Sequence, residues 1–289
     1  MTAMTTPILP AGLAELAERY DAILCDVWGV VHNGRGAFAE TCQALQRYRA
    51  QGGKVVLITN APVPTARVTA VFDRVGVPRD IFDDCATSGD ATRNELARRK
   101  PDSVWIFAAD GGLEHDRFLY EGLGLEIERS PRADLVLCIG LRDQFEDDPE
   151  DYRAEMEEMV AAGLTMVCAN PDIQVRVGDR LGWCAGALAA IYEALGGKVV
   201  YPGKPHPAIY RLALDKLAAL GGSPERSRIL AVGDGPVTDI RGANREGLDC
   251  LYVGTGLAQY GGGDFADEIE GLLGGNSVSA TYAMPMLKW

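Results

Sequence analysis

Short apolar runs alternate with amphipathic segments along most of the chain. The apolar runs have the length of buried strands, and the segments between them repeat their apolar residues at helical spacing. The predicted strands are 22–25, 54–59, 104–107, 135–139, 164–168, 199–201, 228–232 and 250–253, and the predicted helices are 11–20, 39–50, 65–75, 89–99, 149–162, 185–195 and 207–220. Strands that alternate with helices predict parallel sheets joined by right-handed crossovers.

The order of these elements indicates one domain interrupted by another. The segment between about residues 86 and 200 has strands and helices enough for a complete smaller α/β unit. We therefore predict a core formed by residues 1–85 and 201–289, with residues 86–200 inserted as a second domain. His115 lies in an acidic loop of this insertion and is expected to be exposed. No element is predicted after residue 253.

Charge and composition limit the classes of partner. The 289 residues include 28 Lys plus Arg and 41 Asp plus Glu, a net charge of −13. Nucleic acid and anionic membranes are poor partners for an acidic chain. The longest uncharged apolar stretch, 181–192, is well short of the roughly 20 residues that span a bilayer. No Lys or Arg precedes Arg19, so the basic start of a secretory signal is missing.

The cysteines also favour the cytoplasm. The chain has seven of them, an odd number dispersed among apolar segments. This pattern predicts reduced, buried thiols and not a disulfide framework. We therefore predict a cytoplasmic protein that binds neither nucleic acid nor membranes. Whether it forms a homo-oligomer is left open.

Polar side chains follow four of the predicted strands at the point where each strand ends. Ligand crevices of open parallel sheets lie beyond the carboxyl ends of their strands, so we expect these side chains to share one site. They are Asp26, Thr59, Asn60, Lys204 in Gly203-Lys204-Pro205-His206-Pro207, Asp234 and Asp239.

The chemistry that suits this set is phosphoryl transfer to an aspartate. A carboxylate nucleophile is repelled by a phosphate, so a divalent cation must bridge them, and oxygen ligands suit Mg²⁺. Asp26 and Asp234 fit this demand, the backbone carbonyl of Trp28 adds an oxygen, and Asp239 can hold a metal-bound water. Lys204 offsets charge on the phosphate. An acidic protein could hold a phosphate in this way.

The order of the motifs resembles the haloacid dehalogenase (HAD) superfamily of hydrolases. The segments similar to its four motifs are Cys25-Asp26-Val27-Trp28-Gly29-Val30, Leu57-Ile58-Thr59-Asn60, Gly203-Lys204-Pro205, and Gly233-Asp234 with Asp239. The length of the insertion, together with Asn170-Pro171-Asp172, resembles the p-nitrophenylphosphatase-like branch, class IIA. The resemblance implies a Rossmann-like parallel-sheet core with an inserted α/β cap domain.

The resemblance also implies an activity, the hydrolysis of small phosphate esters through an aspartyl-phosphate with Mg²⁺ as cofactor. The expected partner is a small phosphorylated metabolite. The implied roles are Asp26 as nucleophile and metal ligand, Thr59 and Lys204 as phosphate ligands, and Asp234 and Asp239 at the metal. We add Asn60 to the phosphate ligands and keep Asn170 and Asp172 as candidates that shape a hinge or reach the substrate.

One position departs from the family pattern. Phosphatases of this family usually have a second Asp two residues after the nucleophile, where it protonates the leaving group and then activates water. Here that residue is Trp28, which cannot exchange a proton with the substrate. General acid–base catalysis is worth roughly 10²–10⁴-fold. Its loss is expected to slow the hydrolysis of poor leaving groups most.

Three interpretations of Trp28 stay open. His32 could replace the acid, or it lies only in a solvated turn made by Asn33 and Gly34. The haloacid dehalogenases themselves have an aromatic residue at this position and need no metal, whereas this chain keeps its metal-site acids. A protein that binds a phosphorylated ligand with little turnover is the third interpretation. We predict a Mg²⁺-dependent phosphatase-like hydrolase.

Overall fold

The computed structural model describes residues 6–107, 116–256 and 264–289. The chain divides into two compact units. Unit 1 comprises Met1–Thr59, Thr69–Ala86 and Tyr210–Trp289, and unit 2 comprises Asn60–Val68 and Thr87–Ile209. The domain limits inferred from the sequence, at residues 85/86 and 200/201, stay a prediction.

Strands and helices alternate along the described residues. The strands are β1 (Ala22–Cys25), β2 (Lys54–Thr59), β3 (Asp84–Thr87), β4 (Ser103–Phe107), β5 (Glu126–Ile127), β6 (Leu135–Cys138), β7 (Thr165–Cys168), β8 (Gln174–Val177), β9 (Arg180–Trp183), β10 (Lys198–Val200), β11 (Ile229–Gly233), β12 (Asp249–Val253) and β13 (Tyr282–Met284). The helices are α1 (Ala39–Ala50), α2 (Thr65–Val75), α3 (Ser88–Arg99), α4 (Arg153–Ala161), α5 (Ala185–Ala194), α6 (Pro207–Ala219), α7 (Arg241–Glu246) and α8 (Phe265–Gly275). Within the described ranges, none of the helices combines the length and the apolar character needed to cross a membrane.

Unit 1 is built on a six-stranded sheet in the order β13-β12-β11-β1-β2-β3. The pairs from β13 to β2 along this order are parallel. All four residues of β1 are buried, which explains its continuous apolar sequence. The register pairs Cys25 with Val232 on one side and with Leu57 on the other. The carboxyl ends of β11, β1 and β2 therefore finish at one edge of the sheet.

Unit 2 is built on a five-stranded parallel sheet in the order β10-β7-β6-β4-β5, with β8 and β9 forming a separate antiparallel pair. Alternate residues of β6 enter two different apolar clusters, Val136 and Cys138 in one and Leu135 and Leu137 in the other. This alternation is the period of two expected of a strand covered on both faces. The insertion therefore has an apolar core of its own.

Most of the predicted elements are confirmed to within a residue or two, and the exceptions are two of the predicted helices. Segment 11–20, predicted as one helix, contains only a 3₁₀ turn at Leu13–Glu15. The predicted helix 149–162 begins as a 3₁₀ turn at Pro149–Tyr152 before α4. Ser88, the residue before the predicted helix 89–99, is the first residue of α3. Thr87 caps this helix, and its hydroxyl accepts the N–H of Asp90 at 2.9 Å.

Several elements have no counterpart among the predictions, because their sequences are short or mixed. These are β3, β5, β8, β9, α7, α8 and β13. Strand β13 extends the sheet of unit 1 beyond β12, which the sequence pattern predicts as the last strand. The N-terminal Ile8 then adds a bridge, with its N–H donating to the carbonyl of Thr281 and its own carbonyl accepting the N–H of Ala283, both at 3.0 Å. Edge strands of this kind depend on partners distant in sequence.

All seven cysteines are buried and none forms a disulfide, in agreement with the prediction. Burial in apolar surroundings disfavours the thiolate, and it raises the pKa of Cys138 and of Cys184 to about 12. The nucleophilic form of these side chains is therefore scarce at neutral pH. They act as small apolar residues of the core.

Candidate active site

Three carboxylates of unit 1 come together at the carboxyl edge of its sheet. Asp26 directly follows β1, Asp234 directly follows β11, and Asp239 lies in a π-helical turn, Pro236–Ile240. One ligand oxygen from each lies within 4.8 Å of the others, and Asp26 and Asp239 are both 5% exposed. Buried like charges at this separation repel each other strongly. An all-oxygen donor set of this kind fits a divalent cation such as Mg²⁺.

The turn that carries Asp239 also orients its carboxylate. Oδ2 accepts the N–H of Gly235 at 3.0 Å and the hydroxyl of Thr238 at 3.3 Å. The carbonyl of Gly235 in turn accepts the N–H of Asp239 at 2.9 Å and of Ile240 at 3.1 Å. A Cβ on Gly233 would lie 2.3 Å from the Cβ of Asp239, so only glycine leaves room there. Single π-helical turns often occur at functional sites.

Two glycines pack against the carboxylate of Asp234. A Cβ on Gly29 would lie 2.3 Å from its Oδ2, and one on Gly256 would lie 1.6 Å from the same atom. Gly29 also has a φ of +87°, which disfavours other residues. The hydroxyl of Thr255 donates to the carbonyl of Gly29 and ties the two loops together. The main chain therefore surrounds this carboxylate more closely than side chains would allow.

Asp26 continues the ladder between β1 and β11 by one residue, since its N–H donates to the carbonyl of Val232 at 2.8 Å. The chain then leaves the sheet, and the carbonyl of Val27 accepts the N–H of His32 at 3.2 Å. The main chain between these two residues forms a tight loop beside the carboxylates. Coordination through the carbonyl of Trp28 stays a prediction.

Thr59 ends β2, the strand next to β1, and is 4% exposed. Because Cys25 pairs with Leu57, Thr59 lies just beyond the level at which β1 ends. Its place at this edge of the sheet is the one expected from the motif order. Contact between its hydroxyl and a phosphate stays a prediction.

Four of the predicted site residues come together in unit 2. The N–H of Lys204 donates to Oδ1 of Asn60 at 2.7 Å, and Nδ2 of Asn60 donates to the carbonyl of Lys204 at 3.2 Å. The same Nδ2 donates to Oδ1 of Asp172 at 2.8 Å, and Oδ1 of Asn170 accepts the N–H of Asp172 at 3.1 Å. Asn60 and Lys204 are each 3% exposed. The main chain at Lys204 is therefore held firmly.

The indole of Trp28 is fixed by packing. Its ring centroid lies 5.0 Å from that of His32 at an interplanar angle of 74°. A Cβ on Gly34, which has a φ of +82°, would lie 2.5 Å from Cη2 of the indole. An indole carries one N–H donor and no group that exchanges protons near neutral pH. Trp28 can therefore shape the site but cannot act as its acid or base.

His32 is buried, so the alternative that it lies in a solvated turn is wrong. The residue is 2% exposed, and its Nδ1 accepts the N–H of Gly34 at 3.0 Å. Burial, with a smaller contribution from the nearby charge of Arg74, lowers the pKa of the imidazole to about 4. The ring is therefore neutral at pH 7, which argues against it as the replacement acid. His115 lies outside the described residues.

The burial of His32 leads to a prediction about stability. In the unfolded chain a histidine binds a proton below about pH 6.5, whereas in the folded protein it stays neutral down to about pH 4. Stability is therefore lost as the pH falls through this window, by up to about 1.4 kcal/mol per pH unit. His32→Asn offers another acceptor to Gly34 without titrating, so its stability is expected to change less with pH.

Urea unfolding of the two proteins at pH 7 and pH 5 measures this difference. The comparison between the two proteins cancels the contributions of the other titrating groups. Equal changes in the free energy of unfolding for wild type and His32→Asn would show that the imidazole of His32 titrates normally.

Two family models match separate parts of the chain. One, described as haloacid dehalogenase-like hydrolase, matches residues 23–120, and one described as HAD-hydrolase-like matches residues 201–264. The crystal structure of a haloacid dehalogenase-like hydrolase from Brucella suis 1330 is 45% identical, covers 86% of this chain and 90% of that chain, and has a TM-score of 0.82. The chain belongs to the haloacid dehalogenase-like hydrolase family. Its α/β, Rossmann-like fold agrees with the prediction.

Two further proteins that are similar to this chain are phosphatases. Ribonucleotide monophosphatase NagD from Escherichia coli K12 is 29% identical over 239 residues, which are 82% of this chain and 88% of the relative. Glycerol phosphate phosphatase Rv1692 from Mycobacterium tuberculosis, solved in complex with magnesium, is 28% identical with a TM-score of 0.65 and covers 84% of this chain and 71% of that chain. The hydrolase is a class IIA phosphatase of the HAD superfamily, acting on phosphoric monoesters.

The sequence pattern does not reveal the residues that shape the space around the carboxylates of this hydrolase. Gly29 lies in the first motif, but its close approach to Asp234 has no signal of its own. Thr255 and Gly256 follow the strand predicted as the last, where no motif is recognised. Thr238 lies inside the fourth motif, and its bond to Asp239 depends on the π-helical turn. Each of these contacts joins segments whose proximity only the folded chain defines.

Proposed function

We propose that this phosphatase depends on Mg²⁺ and transfers the phosphoryl group of a small phosphate ester to Asp26. The cluster of Asp26, Asp234 and Asp239 carries this proposal, because three acids with two of them buried require a compensating cation. A bound Mg²⁺ supplies positive charge to the nucleophile and to the phosphate. The names of the relatives suggest nucleoside monophosphates and glycerol phosphate as substrates to screen.

The reaction proposed has two steps at Asp26. In the first, a carboxylate oxygen attacks phosphorus, the bond from phosphorus to the ester oxygen breaks, and the leaving group takes the bonding electron pair. In the second, water attacks the phosphorus of the aspartyl-phosphate and releases inorganic phosphate, restoring the carboxylate. We assign phosphate binding to the hydroxyl of Thr59 and the ammonium of Lys204, on the strength of their motifs.

Trp28 limits the leaving groups that the enzyme can expel efficiently. No proton donor occupies the position two residues after the nucleophile, so the leaving group departs without help from that position. Leaving groups that are stable as anions, such as nitrophenolate, tolerate this, whereas alkoxides do not. We propose that the enzyme favours esters with good leaving groups over simple alkyl phosphates.

Phosphate release from p-nitrophenyl phosphate and from an alkyl phosphate, with Mg²⁺ present, tests the proposal. Wild type is expected to hydrolyse the aryl ester far faster. Trp28→Asp is expected to raise the rate on the alkyl ester at least about tenfold, a part of the roughly 10²–10⁴-fold that general acid–base catalysis supplies. Trp28→Asn is the matched control, because it opens the same space without a proton to exchange. An equal gain in both variants would attribute the effect to space alone.

Two other results would replace the proposal by one of its alternatives. If neither ester is hydrolysed, and Asp26→Asn changes nothing, the proposed reaction is wrong, and binding of a phosphorylated ligand with little turnover takes its place as the interpretation to test. If fluoride is released from fluoroacetate without metal, the metal-independent dehalogenase interpretation is correct. The same protein preparations serve for both measurements.

A further inference from the structure

The side-chain amide of Asn60 has no N–H left for a phosphate. An asparagine amide has two N–H donors and one carbonyl acceptor. One N–H donates to Asp172 Oδ1 at 2.8 Å and the other to the carbonyl of Lys204 at 3.2 Å. A phosphate dianion offers only acceptors, so Asn60 could bind it through this side chain only by giving up one of these bonds. Direct binding of phosphate by this side-chain amide is therefore unfavourable.

The neighbours of Asn60 also fix which end of the amide faces which partner. Its Oδ1 accepts the N–H of Lys204 at 2.7 Å, and its Nδ2 faces the carboxylate of Asp172. Rotating the amide by half a turn would place donor against donor at Lys204 and acceptor against acceptor at Asp172. Both contacts would be repulsive, so the observed orientation is the favourable one. Asp172 thus helps to orient the amide that holds Lys204.

The main chain before Lys204 is packed closely against the same amide. A Cβ on Gly203 would lie 2.6 Å from Asn60 Oδ1, 2.7 Å from Pro171 Cδ and 2.7 Å from Ser88 Oγ. The space that receives this loop is therefore already filled on three sides. With Asn60 and Lys204 each only 3% exposed, an unmade bond here could not be replaced easily by water.

We propose that Asn60 is a positioning residue for Lys204. Its amide clamps both the N–H and the carbonyl of Lys204, so the direction in which the side chain leaves the main chain is fixed, which limits the positions that the ammonium can reach. This inference rests on the proposed function, in which the ammonium of Lys204 binds the phosphate. For the side chain of Asn60, we propose this role in place of the predicted one as a phosphate ligand.

A double-mutant cycle with inorganic phosphate as the probe tests the inference. Phosphate affinity is measured as competitive inhibition of p-nitrophenyl phosphate hydrolysis, and by direct titration calorimetry where a variant is inactive. The proteins are wild type, Asn60→Ala, Lys204→Ala and the double variant. Asn60→Ala is expected to weaken phosphate binding about tenfold in wild type but less than about twofold in Lys204→Ala, since no ammonium is left to position.

Two further variants separate positioning from a general loss of structure. Asn244 makes the same pair of reciprocal bonds to the main chain of Ser279, at 2.8 and 3.0 Å, so Asn244→Ala is the matched control and is expected to leave phosphate affinity unchanged. Asn60→Asp keeps the size of the side chain and an acceptor oxygen for the N–H of Lys204, but it loses both N–H donors. This variant takes the place of Asn60→Ala in the measurements if Asn60→Ala does not fold. It is expected to weaken phosphate binding as much as Asn60→Ala.

The outcomes distinguish this inference from the proposed function. If wild type hydrolyses the ester and Lys204→Ala weakens phosphate binding, but the loss from Asn60→Ala is equally large in both backgrounds, Asn60 binds phosphate independently and only the positioning role is wrong. If wild type neither hydrolyses the ester nor binds phosphate, the proposed function fails, and the inference fails with it. If Lys204→Ala binds phosphate as tightly as wild type, the ammonium of Lys204 does not contribute to phosphate binding, and the inference is wrong.

Discussion

Asp26→Asn is expected to lower the rate of phosphate release from p-nitrophenyl phosphate by about 10⁴-fold or more, to the level of the uncatalysed background. The amide has the size of the carboxylate but is a far weaker nucleophile, and it also withdraws one charge from the metal site. A pre-steady-state burst of nitrophenol, equal to the enzyme concentration or a fraction of it, is expected in wild type if the second step is slow. The variant is expected to show none.

The thermal stability of Asp26→Asn is the control for this loss of activity, because it shows whether the variant is folded. Asp26 is 5% exposed and lies among two other acids, so its removal relieves repulsion when no cation is present. The thermal midpoint of the variant, measured with EDTA, is therefore expected to equal or exceed that of wild type. A variant that keeps a tenth of the activity or more would show that the nucleophile is another residue.

Removal of divalent cations is expected to have the next largest effect, about 10³-fold or more on kcat/KM. Charge stabilisation by a metal is worth several kcal/mol, and each 1.36 kcal/mol is about a tenfold change in rate. Dialysis against EDTA, followed by a Mg²⁺ titration, measures the loss and its recovery. Binding also stabilises the folded state, by about 2.7 kcal/mol at a hundred times the dissociation constant, so the thermal midpoint is expected to rise with Mg²⁺.

Asp234→Asn tests whether the divalent cation binds at the carboxylate cluster. The variant is expected to require more Mg²⁺ for half-maximal activity and to show a smaller rise in thermal midpoint. Asp215→Asn is the matched control, because Asp215 is an exposed acid on α6 and the substitution removes the same charge away from the cluster. Equal Mg²⁺ requirements in the two variants would contradict a metal site at Asp234.

The positions of the chemical groups are predicted well where each group lies at the end of a buried strand. Asp26, Thr59 and Asp234 follow apolar runs whose lengths and order define β1, β2 and β11. Parallel strands end at a common edge, so their terminal polar residues are brought together by the sheet itself. A common edge for Asp26 and Asp234 can therefore be expected from the strand pattern, whereas the pairing of β1 with β11 that brings them close is seen only in the folded sheet.

Other parts of the site could not be expected, because they depend on contacts between distant segments. The burial of His32, which lowers its pKa to about 4, involves packing against Phe72 of α2 as well as against Trp28 of its own loop. The three bonds of the Asn60 amide join residues more than a hundred positions apart. An asparagine after a strand is compatible with a ligand role and with a structural role, and only its partners distinguish the two.

The α/β class, the insertion and the identity of the acids follow from the order of residues along the chain, since periodicity and strand length are local properties that depend on which residues must be buried. Which of these groups remain available for chemistry depends on the folded chain. Packing commits the amide of Asn60 to Lys204 and Asp172 and keeps His32 neutral. Hydrogen-bond saturation and desolvation arise only when segments from distant parts of the chain pack against each other, so no local pattern encodes them.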